Sequence, residues 1–495
     1  MFLEKVFNKN LRTRGRKIEL DLKPASLDIV KLDKVEKLVY ALEDAKFNYY
    51  TPTVKVGDKV KKGQVVAVCN EVHGLRKLIS YDGTVEAIKK VKAPIPQKTC
   101  DALIIKPDHP EYVFEDVLYN MDVKLSEYPK EMIFQKIVQA NIKGLGGGLF
   151  LSGKKLINNG IKHVVLNGAE CEPILNCDEA LMNSYLAEIL AGGIFLKTAA
   201  SAETLTIVVK ETKKELIEHI KFFINNNEEF NEIKVKTVPD TYPAGAEKEI
   251  LRYAFNTLLT ASQLLTDNGF LMQNIMTAVT IFRAVTCDLA QLERVVSVFG
   301  KGVENPTNVL IPKGTTLNDV LRFLKIEKPS SVRLGGFMMG EDIIDDDSIE
   351  HTVLLKSSNG IILNLKEDKQ VTDCINCGEC VKVCPVDLVP NKMFEAGEAE
   401  DFENKYLKNL SECMLCGLCN HVCPSNIDLV GMFKYARQEK INIEQEHKRA
   451  EYISHLTNKK LARTEAERLE KERIKLERKK AREARLAKKK EQENA

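Results

Sequence analysis

Two copies of one cysteine pattern, C-x-x-C-x-x-C-x-x-x-C-P, place the strongest constraint on how this 495-residue chain can fold. The runs consist of Cys374, Cys377, Cys380 and Cys384, and of Cys413, Cys416, Cys419 and Cys423. Thiolates at this spacing hold three corners of a cubane iron–sulfur cluster, while the fourth cysteine of each run ligates the other cluster. The pattern therefore predicts two 4Fe-4S clusters: cluster one on Cys374, Cys377, Cys380 and Cys423, and cluster two on Cys413, Cys416, Cys419 and Cys384.

Zinc knuckles and a disulfide framework are the alternatives to this assignment. Structural zinc has no use for a fourth cysteine exchanged between two runs. The N-terminus lacks a signal-peptide-like apolar stretch, so we expect a cytosolic chain whose thiols stay reduced. No apolar run reaches the roughly 18 residues that span a bilayer, so any membrane contact is expected to be peripheral. Two neighbouring clusters predict one-electron transfer.

The pattern of strands, helices and turns predicts a multidomain α/β protein with six segments. A β-rich segment with two strand–turn–strand units is typical of a barrel-sandwich hybrid, although a carrier-lysine hairpin is missing. The helix-compatible linker between the cysteine runs is typical of an α-helical two-cluster ferredoxin domain. The predicted order is an N-terminal arm (1–22), the barrel-sandwich hybrid (23–107), a Rossmann-like α/β domain (121–255), a β-grasp-like unit (266–340), the ferredoxin domain (365–432) and a long basic helix (433–495).

The C-terminal segment is strongly basic. Residues 447–495 carry 17 Lys and Arg against nine Asp and Glu, a net charge of +8 in a chain whose total is +2. Opposite charges recur three and four residues apart, which favours a single charged helix. Because aromatic stacking residues are missing from Leu461 onward, we expect no nucleic-acid binding. Partner subunits or acidic lipid headgroups suit such a helix better.

The α/β segment contains the second group of candidate residues. The glycine-rich stretch GLGGGLF, which begins at Gly144, allows the backbone to approach a phosphate, although a plain tight turn would explain it as well. A predicted strand ends at Asn167 and is followed by an acidic loop with Glu170 and Glu172, at the end of the strand where α/β sheets bind ligands. Tyr242 precedes a glycine turn that opens a helix at Glu247, and its ring can line a pocket.

The stretches GLGGGLF, NGAECEP, YPAGAEKEIL and GGFMMG and the paired cysteine runs, in this order, resemble the RnfC family of the Rnf electron-transport complex over nearly the whole chain. That family is related to the flavin- and NADH-binding subunit of respiratory complex I. The resemblance implies a peripheral subunit on the cytoplasmic side of the cell membrane, within an ion-translocating ferredoxin:NAD oxidoreductase. Its substrate would be NAD(H), and its cofactors FMN and the two clusters. Its partners would be the other subunits of the complex and, through them, ferredoxin or a flavoprotein.

Matched position by position, the resemblance implies flavin-site residues but no catalytic residue. The FMN phosphate would lie against Gly144, Gly146, Gly147 and Lys155, and the ring and ribose against Asn167, Glu170, Glu172, Tyr242 and Glu247. The chain departs from the family pattern where Leu149 replaces a glycine, Leu151 and Phe337 each replace a proline, and the stretch 273–277 lacks a glycine. These departures keep two alternatives open. One is a flavin-less cluster relay, and the other is a soluble electron-transfer protein of the cobalamin-reductase or amino-acid-reductase type.

Overall fold

The computed structural model describes residues 15–44, 48–70, 74–92, 99–115, 118–120, 123–144, 151–157, 160–327, 329–343, 352–354, 358–365 and 370–493. They form two compact units. The first comprises Met1–Asn391 with Ser411–Val430, and the second Lys392–Leu410 with Gly431–Ala495. Most of the predicted N-terminal arm lies outside the described residues. Within them, every helix is either too short or too polar to cross a bilayer.

Two small sheets form the first part of the chain. Alternating apolar residues such as Val60, Val66 and Leu103 point inward from these sheets and share one core. Gly83 is required where strands cross closely, because a Cβ there would lie 2.5 Å from the carbonyl oxygen of Lys106. The sheet orders are β2-β8-β7-β4 and β3-β5-β6. The strands are β1 (Ile29–Lys31), β2 (Leu38–Ala41), β3 (Thr51–Pro52), β4 (Lys59–Val60), β5 (Val65–Val68), β6 (Arg76–Leu78), β7 (Gly83–Lys92) and β8 (Thr99–Pro107).

A four-stranded parallel sheet with helices around it follows. The strands are β9 (His163–Asn167), β10 (Thr204–Lys210), β11 (Lys234–Val238) and β12 (Phe270–Asn274), in the order β11-β10-β9-β12. The accompanying helices are α1 (Lys130–Gln139), α2 (Ser152–Leu156), α3 (Cys177–Ser184), α4 (Leu186–Ala200), α5 (Lys214–Asn225), α6 (Glu247–Phe255) and α7 (Ile275–Cys287). The central strands are apolar and buried, as expected for a parallel sheet covered on both faces.

Strand β12 is part of this parallel sheet, and helix α7 follows it directly. The sequence analysis placed both in the segment 266–340. β12 pairs in parallel with β9, so Asn274 lies opposite Asn167 at the carboxyl ends of the two strands. The pairing joins residues more than 100 positions apart, which a local pattern of apolar residues cannot reveal.

A six-stranded mixed sheet comes next, in the order β1-β14-β13-β17-β15-β16. Its remaining strands are β13 (Glu293–Gly300), β14 (Thr307–Pro312), β15 (Val332–Leu334), β16 (Glu341–Ile343) and β17 (Gly360–Leu363). The structure confirms the predicted sequence of two strands, an Asn-Pro turn and a helix, which is α8 (Leu317–Phe323). The helix begins after Thr316, whose side chain forms a capping box with Asp319.

Four helices complete the chain: α9 (Glu379–Lys382), α10 (Pro390–Glu398), α11 (Leu418–His421) and α12 (Leu429–Glu493). α9 and α11 each follow a left-handed glycine within a cysteine run. In the second unit, the predicted long charged helix is continuous as α12, with ion pairs such as those from Arg468 to Glu465 and Glu472. Exposed pairs of this kind each contribute only about 0.3–0.5 kcal/mol to the stability of the helix.

The close contact between α4 and α7 generates the first prediction. A Cβ at Gly192 would lie 2.0 Å from the carbonyl oxygen of Ala278, which is backbone and cannot move aside cheaply. We expect Gly192→Ala to lower the free energy of unfolding by about 2–3 kcal/mol despite the better helix propensity of alanine. At the neighbouring Gly193 the added Cβ would meet only Leu side chains. Gly193→Ala should therefore cost less, and equal midpoints of thermal unfolding for the two variants would contradict this packing.

Candidate electron-transfer site

The two cysteine runs fold alike. Left-handed backbone conformations recur 39 positions apart in the pairs Asn376 and Leu415, Gly378 and Gly417, and Asp387 and Asn426. Backbone amides also turn toward sulfur, since Leu388 N–H donates to Cys384 Sγ at 3.3 Å and Leu415 N–H donates to Cys413 Sγ at 3.4 Å. Each run therefore forms the same thiolate-presenting turn, with amides available to sulfur.

The arrangement of the sulfurs fits cubane clusters better than zinc. A tetrahedral zinc ion with Zn–S bonds near 2.3 Å holds its sulfurs about 3.8 Å apart. In the described part of the chain, no three cysteine sulfurs lie within 4.8 Å of one another, and the cysteines form no disulfide. The described sulfurs therefore outline no zinc tetrahedron, and the spacing of the two runs favours cubane clusters.

Electrostatic contacts link Cys384 to the thiols of the second run and link Cys374, Cys377 and Cys380 to one another. Burial raises the pKa of Cys416 to about 12, and the thiols of Cys413 and Cys384 raise it further. The pKa of Cys419 is raised by burial and by the same neighbours, so Cys384 of the first run belongs with the second run. Cys380 interacts in the same way with Cys377 and Cys374. Such thiols are protonated without metal, so cluster binding must release protons.

A polar network lies at the carboxyl ends of β9 and β12. Asn167 donates from Nδ2 to the carbonyl of Gly245 at 3.0 Å and accepts from Ala169 N–H at 3.0 Å. Asn274 caps α7 by accepting from the N–H of Met276 and donates to Asp178 Oδ2 at 2.9 Å. The two neighbouring strand ends thereby present amides and carboxylates at one edge of the sheet, where parallel α/β sheets bind ligands.

Glu170, Cys177 and Asp178 form a tight acidic cluster beside this network. Their ligand atoms lie within 4.8 Å of one another, and Glu170 accepts hydrogen bonds from the Cys177 thiol at 3.1 Å and the Asp178 N–H at 3.0 Å. Burial is the main cause that raises the pKa of each of the three groups. The raised pKa values mean that burial favours the protonated form of Glu170 and Asp178 more than water does.

The glycine-rich turn is only partly within the described residues, since Gly146, Gly147 and Leu149 lie outside them. Its ends are fixed by an isolated β-bridge between Lys143 and Leu151 and by a hydrogen bond from Ser152 N–H to the carbonyl of Ile142 at 2.9 Å. Gly144 therefore begins a turn whose two ends are held together.

Lys155 lies one helical turn beyond this closed loop. Its ammonium donates to the carbonyl of Met272 on β12 at 3.1 Å and lies 3.6 Å from Glu247 Oε1. The structure thus brings together three predicted elements: the glycine turn, the lysine and the glutamate that begins α6.

Two orphaned polar atoms lie where a phosphate-bearing ligand is expected. Ser152 Oγ, directly after the glycine turn, and Gln273 Nε2, near the end of β12, are buried without a hydrogen-bond partner among the described residues. Buried polar atoms are normally satisfied, so such atoms indicate a missing partner. These donors, the closed turn and Lys155 fit a flavin phosphate.

Tyr242 and Glu172 contact the second cysteine run and the GGFMMG segment. Tyr242 is only 3% exposed, and its hydroxyl donates to the carbonyl of Cys416 at 2.7 Å. Glu172 accepts from the N–H groups of Met338 and Met339 at 2.9 and 3.2 Å. Tyr242 therefore connects the loop after β11 to the second cysteine run, and Glu172 connects the loop after β9 to the GGFMMG segment. The other candidate residues lie around β9 and β12.

Several residues of the site escaped the sequence analysis. Asp178 and Asn274 gave no motif of their own, although Asn274 follows a buried strand and could have been recognised as a helix cap. Cys171, which lies outside both cysteine runs, packs in one cluster with Tyr242 and Cys416. Phe337, which departs from the family pattern, lies edge-on to His421 of the second cysteine run at a centroid distance of 6.1 Å.

Three family models match the chain. They are the RnfC barrel sandwich hybrid domain over residues 22–110, the Nuo51 FMN-binding domain over 137–283, and a 4Fe-4S dicluster domain over 373–427. These matches confirm the predicted barrel-sandwich hybrid, flavin-type and dicluster domains.

Curated relatives share the same organisation. The C subunit of the ion-translocating oxidoreductase complex of Actinobacillus succinogenes is 31% identical over 404 residues, which make up 79% of this chain and 55% of that protein. The C subunit of the proton-translocating ferredoxin:NAD(+) oxidoreductase complex of Clostridium ljungdahlii is 29% identical over 360 residues, 71% of this chain and 77% of that protein. The chain thus spans about half the length of the first of these relatives. The resemblance to the RnfC family is confirmed.

Among solved structures, an NAD⁺-reducing nickel–iron hydrogenase in the air-oxidized state covers 59% of this chain and 53% of its own, at 16% identity and a TM-score of 0.44. A score below 0.5 does not by itself establish a common fold.

The environment of Glu172 generates a prediction about pH. Burial raises the pKa of Glu172 from 4.5 to about 7, although the two N–H donors favour the ionised form. Between these values the folded state holds a proton that the unfolded state releases, so stability falls as pH rises through this window. The loss amounts to roughly 3 kcal/mol at most. We expect Glu172→Gln, which keeps one acceptor and cannot titrate, to remove this part of the pH dependence.

Thermal unfolding midpoints of the anaerobically purified protein across that pH window measure the effect. Glu218→Gln, at an exposed position on α5, is the matched control and should keep the wild-type slope. Parallel curves for the wild type and Glu172→Gln would contradict the assignment.

Proposed function

We propose that this chain, a relative of the RnfC proteins, is the peripheral subunit that moves electrons between NADH and two 4Fe-4S clusters through FMN. The observation that carries the proposal is the direct contact between the loop after β11 and the second cysteine run. The Tyr242 hydroxyl donates a hydrogen bond to the carbonyl of Cys416 at 2.7 Å. A flavin site and a cluster site built on the same contact can exchange electrons without a further partner.

The surroundings we propose follow those named for its relatives. The chain would act within a membrane-bound, ion-translocating ferredoxin:NAD oxidoreductase, on the cytoplasmic side of the cell membrane. Its partners would be the other subunits and, through them, ferredoxin or a flavoprotein, without nucleic acid. Ion movement itself would take place in other subunits, since the described helices of this chain offer no membrane span.

The proposed domain roles keep the boundaries predicted from the sequence, except that β12 and α7 are counted with the flavin domain. The parallel sheet would act as a Rossmann-like flavin and NADH domain. The six-stranded sheet would be the SLBB-like, β-grasp unit that supports GGFMMG. Support for the first role comes from the strand ends of β9 and β12, which meet at one edge with their polar side chains.

The residues proposed to hold FMN fall into two groups. The phosphate would lie against Gly144, Gly146, Gly147 and Lys155, next to Ser152. The ring and ribose would lie near Asn167, Glu170 and Glu247, with Asp178 and Asn274 added from the structure. Tyr242 and Glu172 would border the ring on the cluster side. FMN, when bound, supplies the conversion between a hydride pair and single electrons, which clusters require.

This chain's own residues would prepare that site in three ways. Lys155 brings a positive charge to a turn that otherwise offers backbone amides. Glu170 and Asp178 place carboxyl groups at the strand ends, where they would hydrogen-bond polar atoms of the ring or ribose. Tyr242 fills the space between the loop and Cys416 with an aromatic ring and excludes water from it.

The order of the clusters follows from the same contact. Cluster two, on Cys413, Cys416, Cys419 and Cys384, borders Tyr242, Cys171 and Met338 in one packed cluster of side chains. Cluster one, on Cys374, Cys377, Cys380 and Cys423, would lie next to it, because each run supplies one cysteine to the other run's cluster. We propose that electrons from the flavin enter at cluster two and leave at cluster one.

A flavin-less relay is the second candidate function. It is favoured by Leu151, which stands where the family has proline. The Leu151 side chain packs next to Gly74, where an added Cβ would lie 3.4 Å from Leu151 Cδ1. A soluble electron-transfer protein of the reductase type remains a third. Anaerobic purification followed by iron, acid-labile sulfide and flavin analysis separates these functions. About eight iron atoms with one FMN per chain supports the proposal, whereas iron without flavin supports the relay.

Lys155 allows a sharper test of flavin binding. We expect Lys155→Ala to weaken FMN binding by about tenfold or more, because a charge-assisted hydrogen bond to phosphate is lost. NADH:ferricyanide activity should fall in parallel at limiting FMN, while the iron content stays unchanged. Lys154→Ala, at the exposed neighbouring position, is the matched control. Equal FMN affinity in the two variants would exclude Lys155 from the phosphate site.

A further inference from the structure

A cavity of about 80 Å³ lies between the first sheets and the six-stranded sheet, away from the strand ends of β9 and β12. Its wall includes β2, β6, the β13–β14 pair and the segment that leads into the glycine turn. A single water needs only about 10–15 Å³ of such space. The cavity can therefore hold a small ligand or several waters.

Five cationic side chains line this cavity against one carboxylate. The carboxylate is that of Asp44, and the cations are Arg76, Lys77, Lys143, Arg294 and Lys313. Asp44 is already engaged, since it accepts a hydrogen bond from Tyr50 at 2.8 Å and lies 3.8 Å from the ammonium of Lys143. The charge of the wall is thus strongly positive.

The cations crowd one another within the wall. The ammonium groups of Lys77 and Lys143 lie 4.3 and 5.2 Å from the centroid of the same Tyr50 ring. Burial, followed by the charge of Lys143, lowers the pKa of Lys77 to about 8. Lys143 itself is only 4% exposed. Asp44 supplies one negative charge here, and the excess of like charges in a low-dielectric wall is costly unless a further anion lies among them.

Two buried polar atoms of the same wall have no hydrogen-bond partner within the described ranges. They are Arg76 Nε and Asn141 Oδ1, and Asn141 is only 1% exposed. Arg76 and Asn141 are connected to each other, because Asn141 Nδ2 donates to the carbonyl of Arg76 at 2.8 Å. One atom lacks an acceptor and the other lacks a donor. A hydrogenphosphate ion, which carries both acceptor oxygens and an O–H, would satisfy both.

We propose that this cavity binds a phosphate group, with Arg76, Lys77, Lys143 and Lys313 as its cationic contacts. The site goes beyond the proposed electron-transfer function and does not depend on it. Because Lys143 directly precedes Gly144, occupancy of the cavity would fix the first end of the glycine turn.

The test is isothermal titration calorimetry of the full-length, cluster-loaded protein with inorganic phosphate, at constant ionic strength in chloride. We expect one saturable site per chain with a Kd below about 1 mM. Lys77→Gln and Lys313→Gln should each weaken binding by about tenfold, since each removes one charge-assisted contact. The control is Lys197 on α4, whose ammonium pairs with Glu232. The Lys197→Gln variant should bind phosphate as the wild type does.

Circular dichroism and cluster absorbance verify that the variants are folded. Glycerol 3-phosphate, titrated in parallel, distinguishes an ester from free phosphate: tighter binding than inorganic phosphate identifies an ester as the natural occupant, and weaker binding identifies the free ion.

Two outcomes would overturn the proposal. They are the absence of saturable phosphate binding in the wild type, or equal binding by the wild type, Lys77→Gln and Lys313→Gln. One-for-one competition between phosphate and FMN would also overturn it, because the cavity would then be part of the flavin site.

Discussion

The contact between the loop after β11, which carries Tyr242, and the second cysteine run is the constraint on which the rest of the site depends. Tyr242 is held by a hydrogen bond to Cys416 and by packing against Val383 and Leu418. Glu172 accepts hydrogen bonds from two backbone N–H groups of the GGFMMG segment. Phe337 of that segment contacts His421. Glu172 lies in the loop after β9 and Tyr242 in the loop after β11, so neither loop can move away without breaking its buried hydrogen bonds to Met338 and Met339 or to Cys416.

The electrostatics of the region follow from the same burial. Glu170, Glu172 and Asp178 lose hydration together, and each binds protons more tightly than in water. Between the strand ends and cluster two, burial therefore disfavours ionised carboxylates, and the Tyr242 ring adds an aromatic surface. A reduced flavin and a reduced cluster both carry added negative charge, and fewer ionised carboxylates beside them make that charge less costly.

Local patterns predicted much of this protein, and distant pairings account for the rest. The cysteine spacing predicted two thiolate turns because all the determinants of each turn lie within a dozen residues. Thr316 and Asp319 started a helix for the same reason. The contact of Tyr242 with Cys416 joins residues 174 positions apart, and the place of β12 beside β9 depends on a long-range pairing. Neither contact changes the spacing of apolar residues nearby, so periodicity could not reveal it.

Departures from the family pattern show the same division. Phe337 and Leu151 looked like losses to the flavin pocket when judged from the sequence. In the structure Phe337 packs on the cysteine region, and Leu151 forms one end of the bridge that closes the glycine turn. The identity of a residue could be compared with a motif, whereas its neighbours required the fold. The sulfur-ligand set, by contrast, is a prediction that depends on cysteine spacing alone.

The most direct test of the account is whether electrons enter at cluster two. EPR spectra of frozen anaerobic samples, reduced with NADH in the presence of FMN, would be compared for Cys413→Ala, which lacks cluster two, and Cys374→Ala, which lacks cluster one. The account predicts that NADH reduces the remaining cluster in Cys374→Ala at the wild-type rate but leaves the one in Cys413→Ala oxidised, although dithionite reduces it. Rapid reduction by NADH of the remaining cluster in Cys413→Ala would contradict the account.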